Sequence, residues 1–133
     1  MAAGKYSFTI EQGSTVDFEI VYKDSNSDPI DLTLYTARMQ LRPSIGSDVV
    51  HMTLSSSLGP CGTGLNMSGS NSANPPTSGS IGIFISAASS SLLDFTDAVY
   101  DLEIVSGSGN CAHVTRILQG KVKLSKNTTL GSY

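Results

Sequence analysis

Short runs of alternating apolar and polar residues are the feature that most constrains the fold of this 133-residue chain. The clearest runs lie at residues 15–20, 37–42, 50–54 and 81–85, with further runs at 8–10, 99–104 and 114–124. A period of two places every second side chain on one face of a β-strand. Turn residues separate the runs at 12–14, 24–29, 44–47 and 106–110. The pattern predicts one all-β domain over residues 1–133, a sandwich or barrel of seven to nine strands.

Three local features refine this prediction. The last run changes phase between Val114 and Leu118, which predicts a β-bulge there. Val50 and Val114 are expected to face the core together with the other apolar residues of their strands. A short helical turn is expected at residues 87–93, between two strands.

Tyr100 indicates which kind of sandwich the chain forms. It stands two residues before the apolar Leu102, near the start of a strand. At this position in immunoglobulin-type sandwiches a buried tyrosine donates a hydrogen bond to upstream backbone and pins the connection between strands E and F. We therefore expect an immunoglobulin-like antiparallel β-sandwich with Tyr100 buried at such a corner. An ordinary half-buried strand tyrosine is the alternative.

Residues 55–80 interrupt the alternation. None of them is charged, and most are Ser, Gly, Asn or Pro. A loop of this length within one domain is usually functional or mobile. We expect a long inserted loop in one inter-strand connection. Residues 127–133 are expected to form a flexible C-terminal tail, or an arm that becomes ordered only on assembly.

Residues that perform chemistry are sparse. His51 and His113 have no partners at metal-ligand spacing, and no nucleophile or phosphate-binding motif is present. Asp24, Asp28 and Asp31 cluster around a turn, where they either bind Ca²⁺ or simply form the turn. Turn formation is the preferred interpretation. The sequence thus predicts a protein that is not an enzyme, with no catalytic, cofactor-binding or metal-binding residues and no small-molecule substrate.

Charge and hydropathy exclude other classes of partner. The net charge is −3 and the pI is about 5.1, whereas a general nucleic-acid binder carries a basic stripe. No segment approaches the ~20 apolar residues that span a bilayer, and the first residues lack the apolar stretch of a signal peptide. We expect synthesis in the cytoplasm, with Cys61 and Cys111 reduced unless they later meet an oxidising environment.

Five segments carry a family resemblance. They are residues 8–18, which begin FTIEQG, residues 23–33, residues 35–42 (YTARMQLR), residues 100–103 (YDLE) and residues 114–122 (VTRILQGKV). In this order they resemble small structural proteins of tailed bacteriophages, especially cyanophages. Leu34 stands where that pattern usually has Gly, and residues 55–80 are not part of it. The resemblance implies a virion structural protein similar to the immunoglobulin-like N-terminal domains of baseplate or fibre-attachment proteins.

The leading hypothesis is a tail or baseplate component that mediates subunit assembly in the virion. Its partners would be other virion proteins and copies of itself in a symmetric assembly, with no nucleic acid and no membrane. The alternatives are a head decoration or neck protein and a host-surface adhesin that binds glycan. The lack of Trp, and of any aromatic residue in residues 55–80, counts against the adhesin.

Candidate contact residues are the large apolar residues that the alternating strands do not use. All of them lie in the termini or in residues 55–80. These candidates for inter-subunit contact are Tyr6, Leu58, Leu65, Met67, Leu130 and Tyr133.

Overall fold

The computed structural model describes residues 4–24, 26–59, 62–69, 75–107 and 111–126. This part of the chain forms nine strands, one short α-helix and a 3₁₀ turn at Pro76–Ser78. The elements are β1 (Gly4–Lys5), β2 (Phe8–Glu11), β3 (Val16–Val21), β4 (Tyr35–Arg42), β5 (Met52–Ser55), β6 (Gly64–Asn66), β7 (Ser80–Ile85), α1 (Ala87–Ser91), β8 (Asp97–Ser106) and β9 (His113–Ser125).

The strands form two sheets, which confirms the all-β sandwich. The larger sheet has the order β1-β9-β8-β4-β5, with β2 also paired to β9, and the smaller has the order β3-β7-β6. All pairs are antiparallel except those of β1 and β2, which lie parallel to β9. The sequence predicted no parallel pairing, because alternation reveals which face a side chain occupies and not the direction of the neighbouring strand.

The order of β3 to β9 in the two sheets is similar to the strand order of an immunoglobulin-type sandwich. In chain order, β3 to β9 occupy the positions of strands B, C, C′, D, E, F and G, with B-E-D in one sheet and G-F-C-C′ in the other. In the constant-type arrangement strand A pairs with strand B. Here the first strands pair instead with β9, and no described residue occupies the position of strand A beside β3.

The core lies between the sheets, as the alternation predicts. Its fully buried side chains come from both sheets and from the connections between them: Ile10, Leu32, Met39, Leu41, Leu54, Leu65, Ile81, Ile83, Ile85, Leu102, Ile104 and Val122. The expectation for Val50 and Val114 is wrong, since they are 39% and 43% exposed. Val50 precedes β5, and Val114 pairs with Val105 on the outer face of the larger sheet.

The predicted bulge and helical turn are both confirmed. In the β8–β9 pair, Leu102 lies opposite Leu118 but Glu103 lies opposite Arg116, so Ile117 is the additional residue. The extra residue reverses the face of every side chain before it, which places Val114 outside. Helix α1 begins after Ser86, whose side chain accepts a hydrogen bond from the backbone N–H of Ser89.

Part of residues 55–80 is regular structure, which differs from the expected inserted loop. Strand β6 pairs with β7 as the edge of the smaller sheet, and Leu65 lies opposite Ile83. A three-residue strand is too short to show alternation, so its pairing with β7 defines it. Residues 60–61 and 70–74 lie outside the described residues.

Candidate interaction surface

The N-terminal segment pairs with β9 and is also bonded to Tyr100 of β8. β1 and β2 share one register on β9, from Gly4 opposite Leu118 to Phe8 opposite Val122. Between them the Tyr6 N–H donates to the Gln119 carbonyl at 2.9 Å. The Tyr6 carbonyl accepts the Tyr100 hydroxyl, and the Lys121 N–H donates to the Ser7 side chain at 3.2 Å. The segment is therefore a fixed edge of the larger sheet.

Gly120 permits this close approach. A Cβ atom built at position 120 would lie 1.9 Å from the Tyr6 carbonyl oxygen and 2.7 Å from its carbon. Both atoms belong to backbone, so a side chain here would force the N-terminal segment away from β9. The requirement is steric, and a glycine within a strand often marks such a contact.

Tyr100 is buried, as expected, but its partner is different from the one expected. Its hydroxyl donates to the Tyr6 carbonyl and not to the connection between β7 and β8. The expected tyrosine corner is therefore wrong in its partner, because the N-terminal segment places the Tyr6 carbonyl next to the hydroxyl. Burial, with a smaller contribution from Tyr6, raises the pKa of Tyr100 above its ordinary value.

Four aromatic rings meet beside this contact. The ring centroids of Phe8 and Phe18 are 5.0 Å apart, those of Phe8 and Tyr100 5.3 Å, and those of Tyr6 and Phe18 5.7 Å. These separations are typical of favourable aromatic pairs. Phe18 belongs to the smaller sheet, Phe8 and Tyr100 belong to the larger one, and Tyr6 lies between β1 and β2. The cluster therefore joins the sheets at one open side of the sandwich. Tyr6 remains 46% exposed.

An open cleft of about 490 Å³ lies along this side, between β2 and β3. Its lining residues are Tyr6, Ser7, Phe8, Thr9, Glu11, Ser14, Thr15, Val16, Asp17 and Phe18. The lining thus combines partly exposed aromatic rings with two carboxylates and contains no cationic side chain. We call this surface the aromatic cleft.

Hydrogen bonds to the α1 region fix the turn that joins the two walls of the cleft. The fully buried Ser90 hydroxyl donates to the Ser14 carbonyl at 2.8 Å and accepts from the Gly13 N–H at 3.1 Å. The Gln12 side chain donates to the Leu93 carbonyl at 2.8 Å. The cleft is therefore formed before any partner binds, which lowers the entropic cost of binding.

The six predicted contact residues do not form one surface. Tyr6 lies at the rim of the aromatic cleft, whereas Leu58 is half exposed next to Gly64, at the start of β6. Leu65 is fully buried, so the premise that the core leaves it unused is wrong, and Met67 packs against the core. Leu130 and Tyr133 lie outside the described residues.

Sequence reasoning missed Phe8 and Phe18 as surface residues, because alternation assigned both to the core. Both are only partly buried and pack at its margin. The available signal was the concentration of three aromatic residues within residues 6–18, on the two strands that flank the first turn. Without knowledge of which strands lie at sheet edges, that signal does not distinguish the rim of a core from its centre.

The other titratable candidates have structural partners. The Asp24 carboxylate accepts the N–H groups of Asn26 and Asp28. Asp31 accepts both the side-chain hydroxyl and the backbone N–H of Thr33, and these bonds lower the pKa of Asp31. Within the described ranges no three His, Cys, Asp or Glu residues are arranged to hold a metal ion.

The structure also describes the surroundings of both histidines and of one of the two cysteines. His51 stacks on Phe95 with ring centroids 4.6 Å apart, and His113 is exposed at the start of β9. Cys111 is exposed, and Cys61 lies outside the described residues.

No protein-family model matches the chain, and no curated protein matches it either. Among the helical segments that the structure describes, none has both the length and the apolar character needed to cross a bilayer. The fold and the aromatic cleft are therefore the basis for a functional interpretation.

Proposed function

We propose that this protein is a structural component of a tailed-phage virion, and that it acts in the tail or baseplate by binding neighbouring subunits. The observation that carries the proposal is the aromatic cleft, a preformed surface between two strands at the edges of their sheets. The resemblance of the strand segments to small phage structural proteins supplies the biological setting.

The chemistry of the cleft supports a role in protein binding. Aromatic side chains are enriched at the centres of protein interfaces, where they bury a large area at a low cost in side-chain entropy. Tyr6 also presents a hydroxyl beside its apolar ring, a combination suited to a surface that alternates between water and a partner. Edge strands next to the rings add backbone groups that a partner strand can pair with.

The fixed N-terminal segment supports a structural role for the same domain. Its parallel pairing with β9 joins the first and the last described strands side by side. A pull that separates these two strands along their axes must break all of their hydrogen bonds together. Such a domain keeps its surfaces in place under load, and many copies in a symmetric particle multiply individually modest contacts.

Quantitative mass spectrometry of purified particles tests the proposal. The copy number is measured against the major capsid protein and the tail-tube protein of the same particles. Tens of copies per particle would support the tail or baseplate, whereas several hundred would indicate head decoration and overturn the placement. Absence from washed particles would overturn the virion role.

A further inference from the structure

We propose that the free edge of β3 receives an extended segment of a different virion protein, in which basic and apolar residues alternate. The segment would add to the smaller sheet as a fourth strand, beside β3 and over the aromatic cleft. The inference rests on the proposed assembly role and names the chemistry of the partner.

The backbone of β3 is the first part of the argument. All six residues of β3 pair with β7, from Val16 opposite Ile85 to Val21 opposite Ser80. On its other side no strand formed by the described residues pairs with it. In the immunoglobulin strand order this is the position of strand A, which the N-terminal segment leaves to pair with β9. An edge of this length presents a row of backbone groups to a partner strand.

The side chains of β3 specify the pattern of the partner. Val16, Phe18 and Ile20 point towards the core side and are partly buried, whereas Asp17 and Glu19 are exposed on the outer face. Side chains opposite each other on paired strands share a face. A strand added here would therefore place alternate residues over Phe18 and the cleft, and the others beside two carboxylates. The matching sequence alternates apolar with basic residues.

The acidic side chains disfavour a second copy of β3 as the occupant. Two copies of β3 could pair antiparallel about a two-fold axis. Of the registers that keep the apolar side chains of both copies on the same face, one places Asp17 opposite Glu19, and the next places Glu19 opposite Glu19. Like charges directly opposite each other destabilise a strand pair. The edge thus resists self-pairing, which is a common device of edge strands.

This chain's own alternating basic segment is also engaged. Residues 121–124 read Lys-Val-Lys-Leu, and this part of β9 already pairs with β2 and with β8. A second copy would have to dismantle its own larger sheet to donate it. The other segment in which basic and apolar residues alternate, in β4, is likewise paired on both sides, with β5 and β8. These pairings favour a different protein as the occupant.

Peptide titration followed by ¹⁵N NMR tests the site. The probes are two blocked peptides, Lys-Val-Lys-Leu-Lys-Val-Lys and Glu-Val-Glu-Leu-Glu-Val-Glu, which have the same apolar pattern and opposite charge. We expect the basic peptide to shift the amide signals of β2 and β3, and the acidic peptide to leave them unchanged. Equal binding of both peptides, or shifts confined to other strands, would overturn the proposal.

Charge-reversal variants give the matched control. The double variant Asp17→Lys/Glu19→Lys should bind the basic peptide at least about tenfold more weakly, and should gain binding to the acidic peptide. Asp28→Lys/Asp48→Lys changes the net charge equally at two exposed turn positions and should bind like the wild type. If both variants lose affinity equally, the attraction is only a general charge effect and the inference is wrong. If the lysine variant of β3 does not fold, Asp17→Asn/Glu19→Gln provides the same comparison with a smaller loss.

A photo-crosslinking residue at Thr15, at the rim of the cleft, tests the source of the segment in intact particles. A crosslink to another virion protein supports the inference, whereas a crosslink only to this chain overturns it. Failure of the proposed function has a different signature, because the protein would then be missing from the particles altogether.

Discussion

Replacing Gly120 with alanine should push the backbone of Tyr6 away from β9. The added Cβ would lie 1.9 Å from the Tyr6 carbonyl oxygen, whereas ordinary contacts begin at 3.4 Å. The carbonyl must therefore move by about 1.5 Å, the difference between these two distances. A displacement of this size breaks the hydrogen bond from Tyr100 and the 2.9 Å bond between Tyr6 and Gln119.

The expected loss of stability follows from these two bonds. Each contributes about 1 kcal/mol net, and the buried Tyr100 hydroxyl that is left without its acceptor costs a further ~1–3 kcal/mol. We expect Gly120→Ala to lower the free energy of unfolding by about 3–5 kcal/mol. Tyr100→Phe removes the hydroxyl and leaves no buried donor without an acceptor, so it should lower the free energy of unfolding by only about 1–2 kcal/mol. The double variant should cost less than the sum of the two single variants, since they remove the same contact.

Urea unfolding followed by circular dichroism measures these differences. Gly4→Ala is the matched control, because a Cβ at position 4, on the same strand pair, would meet its nearest neighbours at 3.6 Å. This control should stay within about 0.5 kcal/mol of the wild type. If Gly120→Ala is as stable as Gly4→Ala, the N-terminal segment does not lie against β9 as described, and the reasoning fails.

Three further predictions concern buried groups. Burial raises the pKa of Tyr100, so the contribution of this residue to stability is complete below the ordinary tyrosine pKa near 10 and is lost as the pH rises above it. The wild type should therefore lose stability in alkali faster than the variant Tyr100→Phe. Parallel profiles of the urea midpoint against pH for the two proteins would contradict this. Leu65→Ala should lower the free energy of unfolding of the monomer by about 2–5 kcal/mol, whereas unchanged stability with weaker assembly would restore Leu65 as a contact residue. Ser90→Ala should lower the free energy of unfolding, measured by thermal unfolding, by about 1–3 kcal/mol, because the Gly13 N–H loses its acceptor. The control is Ser91→Ala, which removes an exposed hydroxyl from the same helix and should change stability little.

Elements that depend on local pattern could be predicted from the sequence. Met39 and Leu41 in β4, and Ile81 and Ile83 in β7, are buried as their alternation indicates. The bulge in β9 followed from the change of phase, and the helical turn was expected between the two strands where α1 lies. In each case the signal and the structure lie within the same few residues.

Pairing partners could not be predicted in this way. Strand β6 has three residues and shows no period, so only its hydrogen bonds to β7 make it a strand. Leu65 therefore appeared to be left over from the core when it is part of it. Phe8 and Phe18 appeared to be ordinary core residues, because their position at the open side depends on which strands lie at the sheet edges.

By itself, the sequence determined that this chain is an all-β protein with a core built from alternating residues. The reason is that alternation is a property of neighbours along the chain, and burying one face of every strand leaves few other architectures. Only the tertiary structure decided that Tyr6, Tyr100 and Gly120 meet and that β3 keeps a free edge. The Tyr100–Tyr6 bond joins residues 94 positions apart, and the chain between them must fold before either residue has a partner.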